Sequence, residues 1–253
     1  MSENKISVVT FDLWDTVFID DSDEPKRQSQ GLPPKTVERR NLVESFLRKH
    51  KSVSRELIDV AYSTTDAAFR HVWYGQNITW TVKERLSVLL KGLGCELPEQ
   101  ELNELVRLHE EMELAVMPDL APNIAEALAG LRKKYRLGVI SDTIFSPGRV
   151  LKQILDHYGI LKHFDIFVFS DEIGFAKPTP IVFEKISEGL NVPMSEIVHV
   201  GDREEKDVDG PHAVGAKAVF TNVVLDRGSK SSKAEAVCDD YSHLVDIINS
   251  LNT

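Results

Sequence analysis

The chain has 253 residues, of which 30 are Lys or Arg and 40 are Asp or Glu, so its formal net charge is −10. This length is enough for one large domain or two small ones, and a hydrophobic fraction of 42% is ample for a core. The acidic balance argues against a nucleic-acid partner, because proteins that bind phosphate backbones carry a basic surface.

Cysteine usage and hydropathy indicate the compartment. Cys95 and Cys238 are isolated and show no CxxC spacing, which argues against a disulfide scaffold or a zinc site and fits a reducing environment. The N-terminus has no apolar signal segment, and no run of about 18 apolar residues occurs. We therefore expect a cytoplasmic protein with no membrane span.

The first predicted strand, residues 5–14, has the sequence KISVVTFDLW. Its apolar residues are consecutive rather than alternating, which is typical of a strand buried on both faces of a parallel sheet. The strand runs into two acidic residues, Asp12 and Asp15, with Trp14 between them. A carboxylate at the end of a buried strand is a candidate for chemistry.

A long insertion follows the first strand. About 100 residues precede the next strand, far more than a crossover helix needs. Residues 20–34 are polar and contain proline, which predicts a linker or mobile loop, and residues 116–122 form the return. Helical patterns lie near residues 35–50, 54–74, 79–92 and 98–115. We predict a helical domain at 20–117, inserted into a core domain made of 1–19 and 118–253.

Four further β-rich runs follow the insertion, and amphipathic helical patterns separate them. The predicted strands are residues 136–141, 165–170, 196–201 and 217–223. Alternation of strand and helix predicts an α/β fold with a doubly wound parallel sheet.

Polar residues with chemical potential lie at the carboxyl ends of these later strands. They are Ser141, Lys177, Asp202 and Asp207. In an open parallel sheet, ligands bind at this edge. Several acids that converge there would repel one another and resist ionising together. A divalent cation relieves this repulsion, and Mg²⁺ is the natural candidate for a site made only of oxygens.

Taken in order, these motifs resemble those of the haloacid dehalogenase (HAD) superfamily, whose members are mostly phosphatases. The resemblance covers nearly the whole chain. Asp12, Ser141, Lys177 and the GDREEKD run that holds Asp202 and Asp207 each lie at a strand end. The insertion lies where one major branch carries its cap domain. The resemblance implies a sheet of order 5-4-1-2-3, which places Asp12 beside Asp202.

The resemblance also implies a nucleophile and a metal site. Asp12 would attack phosphorus and form an aspartyl phosphate. Mg²⁺ would be held by the carboxylates of Asp12 and Asp202 and by the backbone carbonyl of Trp14. Asp207 would belong to the same metal site and would orient Lys177 or a water at the metal.

For the phosphoryl group, the resemblance implies that Ser141 and Lys177 hold its oxygens. Thr16 matches the threonine of the first motif and is assigned to the same phosphate site. Phosphoryl transfer requires charge neutralisation and in-line positioning, which this set of residues supplies. The implied partner is a small phosphorylated metabolite whose identity the sequence does not give, and the protein is expected to be a monomer or homodimer.

The first motif departs from the family pattern at one position. Family phosphatases read Asp-x-Asp-x-Thr, and their second Asp protonates the leaving alcohol, but here Trp14 occupies that place. Asp15 is a candidate catalytic replacement, although successive side chains of extended backbone point opposite ways and a cap for the following turn is the alternative role. A cap-domain residue or a water is a second replacement. Otherwise the leaving group needs no proton, or the site is weak or retired.

The leading interpretation is a Mg²⁺-dependent phosphatase. A 2-haloacid dehalogenase is an alternative, because those enzymes carry an aromatic residue at the place of Trp14, but they lack the metal and the acid that Asp202 matches. A phosphonatase-like hydrolase would need a Schiff-base lysine in the cap, and nothing singles out Lys83 or Lys91. A weakly active or non-catalytic binding protein on the same scaffold is the third alternative.

Two further predictions concern residues outside the motifs. His199, within the fourth predicted strand, is expected to be a satisfied core residue. A cluster in the insertion, Arg70, Trp73, Tyr74 and Trp80, is expected to form the core of the inserted domain or to line a pocket facing the sheet.

Overall fold

The structure is a computed structural model that describes residues 5–252. Residues 1–4 and 253, which belong to the predicted core domain, lie outside the described residues. Within residues 5–252, six strands form one sheet. They are β1 (Val8–Phe11), β2 (Arg136–Ser141), β3 (Ile166–Phe169), β4 (Ile197–Gly201), β5 (Lys217–Thr221) and β6 (Ala236–Cys238).

The sheet is parallel throughout and has the order β3-β2-β1-β4-β5-β6. This confirms the predicted order 5-4-1-2-3, and β6 adds an edge strand that the sequence did not predict. Strand β1 lies between β2 and β4, and Val8 pairs with Arg136 on one side and Ile197 on the other. The residues that follow β1 and β4 are therefore neighbours.

Helices connect the strands and fill the long insertion. Before β2 lie α1 (Asp23–Ser29), α2 (Lys35–Leu47), α3 (Arg55–Gln76), α4 (Val82–Gly92), α5 (Glu99–Glu110), α6 (Met112–Ala115) and α7 (Ile124–Leu131). After β2 lie α8 (Gly148–His157), α9 (Ser170–Ile173), α10 (Pro180–Leu190), α11 (Gly210–Ala213) and α12 (Leu244–Ser250). Within residues 5–252, no helix has the length and apolar character that crossing a bilayer requires.

Burial on both faces explains the consecutive apolar residues of β1. Val9 and Phe11 belong to the hydrophobic cluster that includes α7, α8 and α12, whereas Val8 belongs to the cluster formed with α10. Successive side chains of a strand point to opposite faces, so each face needs its own apolar set. Thr10 is the polar exception and is fully buried.

Helices α1–α6, at residues 23–115, are called the helical segment below. Its helices α2–α5 enclose a hydrophobic cluster that is separate from the clusters of the sheet. The cluster includes Val43, Ile58, Leu86 and Leu105, and Phe145 from outside the segment packs against it. A separate cluster is what an inserted unit with its own core would show.

Two details of the predicted insertion need correction. Residues 20–34, predicted as a linker or mobile loop, contain α1, which is stabilised by buried charge rather than by apolar residues. Asp23 is fully buried and accepts a hydrogen bond from Lys35 Nζ at 2.8 Å. The single helix predicted near 98–115 is divided at Glu111, which lies between α5 and α6.

We predict that Leu151→Ala lowers the free energy of unfolding by about 2–5 kcal/mol, the usual range for truncating a buried leucine. Leu151 lies on α8 and is 0% exposed within the sheet cluster. Leu57→Ala is the matched control, because Leu57 lies on α3 and is 51% exposed. Urea unfolding checks both variants, and equal effects would contradict the packing described here.

Candidate active site

The side chain of Lys177 lies at the centre of a buried ionic cluster. Its Nζ is 2.8 Å from Asp12 Oδ1 and 2.6 Å from Asp207 Oδ1, and all three residues are buried. Asp12 directly follows β1, Lys177 lies between α9 and α10, and Asp207 lies in a π-helical turn, Glu204–Asp209, after β4. They meet because the carboxyl ends of parallel strands share one edge of the sheet.

The charged groups of this cluster shift one another's pKa values. Burial alone would lower the pKa of Lys177, but Asp12 and Asp207 outweigh it and raise that pKa, so the ammonium stays protonated. Burial raises the pKa of Asp12 to about 7; Lys177 opposes the rise, and Asp207 and Asp202 add to it. Burial also acts against ionisation of Asp207, but Lys177 and His199 hold its pKa below the ordinary value.

Asp207 is fixed by two groups besides Lys177. Its Oδ1 is 3.1 Å from His199 Nε2, and its Oδ2 accepts a hydrogen bond from the backbone N–H of Arg203 at 2.9 Å. Burial lowers the pKa of His199, so the neutral ring donates from Nε2 while Nδ1 accepts from Thr10 Oγ1 at 2.9 Å. His199 is a fully partnered core residue, as predicted, but one of its partners belongs to the site.

A glycine makes room for this carboxylate. A Cβ on Gly201 would lie 2.4 Å from Asp207 Cγ, closer than real Cβ atoms come to any neighbour. Asp207 has no freedom to retreat, because Lys177, His199 and Arg203 hold its two oxygens. The glycine of the GD pair is therefore required by the position of Asp207.

The acids of the cluster fit a divalent cation. Asp12, Asp202 and Asp207 offer oxygens that all lie within 4.8 Å of one another. Asp202 Oδ1 is buried and has no hydrogen-bond partner among the described residues, while its Oδ2 accepts from Arg227 Nε at 2.5 Å. A buried carboxylate oxygen without a partner is rare and costly, and beside two further carboxylates it forms a donor set for a hard metal ion.

The turn after β1 sends Trp14 and Asp15 to different surroundings. The indole of Trp14 is half-buried, packs against Phe18 with ring centroids 5.7 Å apart, and lines the cavity described below. Asp15 has a positive φ of 56°, in the left-handed region. Its Oδ2 accepts from Arg227 Nη2 at 2.6 Å and its Oδ1 from the backbone N–H of Asp20 at 3.1 Å. This geometry favours the capping role for Asp15 over the catalytic one.

Two hydroxyls predicted to hold phosphate are buried and have no partner among the described residues. They are Ser141 Oγ, at the end of β2, and Thr16 Oγ1. Buried hydroxyls are usually paired, so each is available to a further group. Neither residue lines the cavity, whereas Asp12, Lys177 and Asp207 do. Contact of the two hydroxyls with phosphate stays a prediction.

A cavity of about 260 Å³ lies between these strand ends and the helical segment. The helical segment contributes Lys35, Thr36, Arg39, Arg70, Trp73 and Glu113 to its wall. Of the predicted insertion cluster, Arg70 and Trp73 thus reach the cavity. The wall also includes Asp20, Asp21, Asp142, Phe145, Arg203 and Lys206, which the sequence did not single out.

Asp142 and Lys206 support the cluster from the cavity side. Asp142 Oδ1 accepts from the backbone N–H of Lys177 at 2.9 Å, and its Oδ2 accepts from Lys206 Nζ at 2.6 Å. Lys206 Nζ also lies 3.4 Å from the ring centroid of Trp73 on α3. Both residues are sequence neighbours of motif residues, and this adjacency is the sequence signal that could have identified them. Adjacency does not reveal the direction of a side chain, so their contacts were not predictable.

The opposite wall carries its own charge cluster. Glu113 accepts from Ser146 Oγ at 2.6 Å and from Arg39 Nη2 at 3.3 Å, and it lies 3.4 Å from Lys35 Nζ. The Arg39 guanidinium lies 3.6 Å from the ring centroid of Phe145. No local sequence signal predicts these contacts, because the partners come from distant parts of the chain.

Comparison with known proteins identifies the family of this chain. Residues 6–215 match the haloacid dehalogenase-like hydrolase family. This chain belongs to that family. It is 29% identical over 216 residues to glyceraldehyde 3-phosphate phosphatase from Pyrococcus abyssi, covering 85% of this chain and 81% of that protein.

Two further comparisons agree with this family membership. The Methanothermobacter thermautotrophicus protein of the same name is 35% identical over 135 residues, which cover 50% of this chain and 58% of that protein. The solved structure of a HAD phosphatase from Thermococcus onnurineus superimposes with a TM-score of 0.63 at 22% identity, covering 98% of this chain and 100% of that one. At this identity the structural likeness supports the fold.

We predict that Gly201→Ala lowers the free energy of unfolding by about 1–3 kcal/mol, because the new methyl group must displace Asp207 from its fixed position. Gly92→Ala is the control, since a Cβ there meets open space and alanine favours the helix. Urea unfolding measures both. Equal stability of the Gly201 variant and the unsubstituted protein would contradict the close approach.

Proposed function

We propose that this HAD-family hydrolase is a Mg²⁺-dependent phosphatase that acts on a small phosphorylated metabolite and forms an aspartyl phosphate on Asp12. The observation that carries the proposal is the arrangement of Asp12 on the cavity wall, beside a buried ammonium and a buried carboxylate oxygen that has no partner within residues 5–252. The phosphatase names of the sequence relatives point to the same chemistry.

The metal would be held by Asp12, Asp202 and the backbone carbonyl of Trp14, with Asp207 beside it. An all-oxygen set of this kind suits Mg²⁺, and the clustering of three acids within 4.8 Å supports it. When bound, the ion neutralises phosphoryl charge and relieves the repulsion among the aspartates.

The protein groups themselves supply positioning and charge. Lys177 stays protonated and places a fixed positive charge beside the carboxylate of Asp12. Asp207, held by His199 and Arg203, fixes the ammonium in that place. Fixed charges of this kind stabilise the developing transition-state charge without reorganisation, which is the main need of phosphoryl transfer. Ser141 would donate its unpaired hydroxyl to a phosphoryl oxygen.

The helical segment would act as a cap. We assign residues 20–117 to a cap domain, and 1–19 with 118–253 to the core domain. The separate hydrophobic cluster of α2–α5 supports this division, and the contribution of α2, α3 and α6 to the cavity wall supports a role in excluding water and reading the substrate.

Charge on the cavity wall bears on the substrate. Among the residues that the structure describes, six cations and six acids line it. They are Lys35, Arg39, Arg70, Lys177, Arg203 and Lys206, against Asp12, Asp20, Asp21, Glu113, Asp142 and Asp207. A phosphate monoester carries about two negative charges, which a Mg²⁺ ion would match. This supports a substrate that is otherwise uncharged, and glyceraldehyde 3-phosphate, named for the relatives, is the first to test.

We expect Asp12→Asn to abolish hydrolysis of p-nitrophenyl phosphate and glyceraldehyde 3-phosphate, because the substitution removes the attacking oxygen. Asp246→Asn is the charge-matched control, since Asp246 is exposed on α12. Phosphate release measures activity, and circular dichroism checks the fold. Turnover retained by the Asp12 variant would refute the aspartyl phosphate, and chloride release from 2-chloropropionate without metal would favour the dehalogenase alternative suggested by Trp14.

Mg²⁺ should raise the melting temperature of the unsubstituted protein and have a much smaller effect on Asp202→Asn. A ligand that binds only the native state stabilises it by about 2.7 kcal/mol at a hundredfold excess over its dissociation constant. Thermal unfolding with and without Mg²⁺, and with EDTA, reads this out independently of activity. A shift of equal size in both proteins would show that Asp202 holds no metal.

A further inference from the structure

The proposed phosphatase lacks a proton donor at the position where its family carries one. Trp14 has no ionisable group, and the Asp15 carboxylate is held by Arg227 and by the backbone of Asp20. An alkyl phosphate needs a proton on its leaving oxygen, which is worth roughly 10²–10⁴-fold in rate. The cavity wall is the place to search for another donor.

In the described part of the chain, six carboxyl groups line the cavity, and five of them have a cationic partner. Asp12 and Asp207 contact Lys177, Asp142 contacts Lys206, and Asp21 and Glu113 contact Lys35. Asp20 differs: within residues 5–252, no Lys, Arg or His lies within 4.0 Å of its carboxylate, and its Oδ1 accepts only the backbone N–H of Asp21 at 3.0 Å.

The surroundings of Asp20 favour its protonated form. Asp20 is exposed and lines the cavity. Desolvation by the surrounding protein nevertheless raises the pKa of Asp20 to about 6, and the charges of Asp21 and Asp15 add to the rise, whereas Lys35 opposes it. An acid of this strength is partly protonated near neutral pH and can both give and accept a proton.

We propose that Asp20 is the general acid–base of this enzyme and takes the place left by Trp14. The inference rests on the proposed phosphatase function. As the Asp12 oxygen bonds to phosphorus and the bond from phosphorus to the leaving oxygen breaks, Asp20 gives its proton to that oxygen and the alcohol departs. Water then attacks the aspartyl phosphate, its proton passes to the Asp20 carboxylate, and phosphate and the Asp12 carboxylate are released.

Asp15 and Arg227 act as positioning residues in this arrangement. Arg227 holds Asp15 Oδ2 at 2.6 Å, and Asp15 Oδ1 in turn holds the backbone N–H of Asp20 at 3.1 Å. The left-handed backbone at Asp15 directs its carboxylate to these two groups. Asp15, which follows Trp14 in sequence, thus positions Asp20, the proposed replacement for the family's acid.

The test compares two esters in the full-length protein with Mg²⁺. Asp20→Asn should lower kcat/KM for an alkyl phosphate, glycerol 3-phosphate or glyceraldehyde 3-phosphate, by about 10²–10⁴-fold. The loss on p-nitrophenyl phosphate should stay below about tenfold, because its phenolate leaves without a proton. Asp246→Asn is the charge-matched control and should leave both esters unchanged, since Asp246 is exposed on α12 and lies outside the cavity wall.

Two further measurements separate a proton donor from a merely structural residue. For the alkyl ester at saturating Mg²⁺, which would keep Asp12 ionised, kcat/KM of the unsubstituted enzyme should fall as pH rises through about 6, where Asp20 loses its proton, and this limb should be absent in Asp20→Asn. Adding Trp14→Asp to Asp20→Asn should restore alkyl-phosphate hydrolysis, because it places a carboxyl group at the position of the family acid.

The outcomes distinguish this inference from the proposed function. If Asp12→Asn is inactive while Asp20→Asn lowers both esters equally or neither, the enzyme is a phosphatase and Asp20 is not its acid. If the unsubstituted protein hydrolyses neither ester, the proposed function fails and the role of Asp20 fails with it. A selective loss on the alkyl ester together with the lost pH limb supports the assignment.

Discussion

The site depends on one buried ion pair network, in which a single ammonium, Lys177, lies between the carboxylates of Asp12 and Asp207. Desolvation disfavours charge at all three groups; the two carboxylates keep Lys177 ionised, and Lys177 together with His199 keeps Asp207 ionised. Asp202 adds a further buried carboxyl that this ammonium does not contact. The cluster therefore retains an excess of acid that suits a small, highly charged cation, and the proposed metal site and the proposed nucleophile thus share one place in the fold.

Topology made much of this arrangement predictable. Asp12, Lys177, Asp202 and Asp207 follow strands of a parallel sheet, so strand order alone brings them to one edge. Short or polar elements were harder to predict. β6 has three residues, too few for a hydrophobic pattern, and α1 is held by ion pairs such as Asp23 with Lys35, which look like solvated charges in sequence.

Side-chain direction and long-range pairing could not be predicted. The sequence near Asp15 does not predict that its carboxylate contacts Arg227, because Arg227 lies on a loop after β5. The isolated charge of Asp20 is visible only once the partners of every other cavity acid are known. His199 illustrates the same limit: its burial was predictable, but its contact with Asp207 depends on the π-helical turn that follows β4.

The contact of Arg227 with both Asp15 and Asp202 links the loop between β5 and β6 to the acidic cluster. Coupling between two sites is reciprocal. A ligand that binds at Asp202 would change the stability of the loop conformation, and ordering of the loop would change the affinity for that ligand by the same factor. The loop after β5 would thus influence the affinity of the proposed metal site through the contact of Arg227 with Asp202. Variation in the length or charge of this loop would tune that affinity.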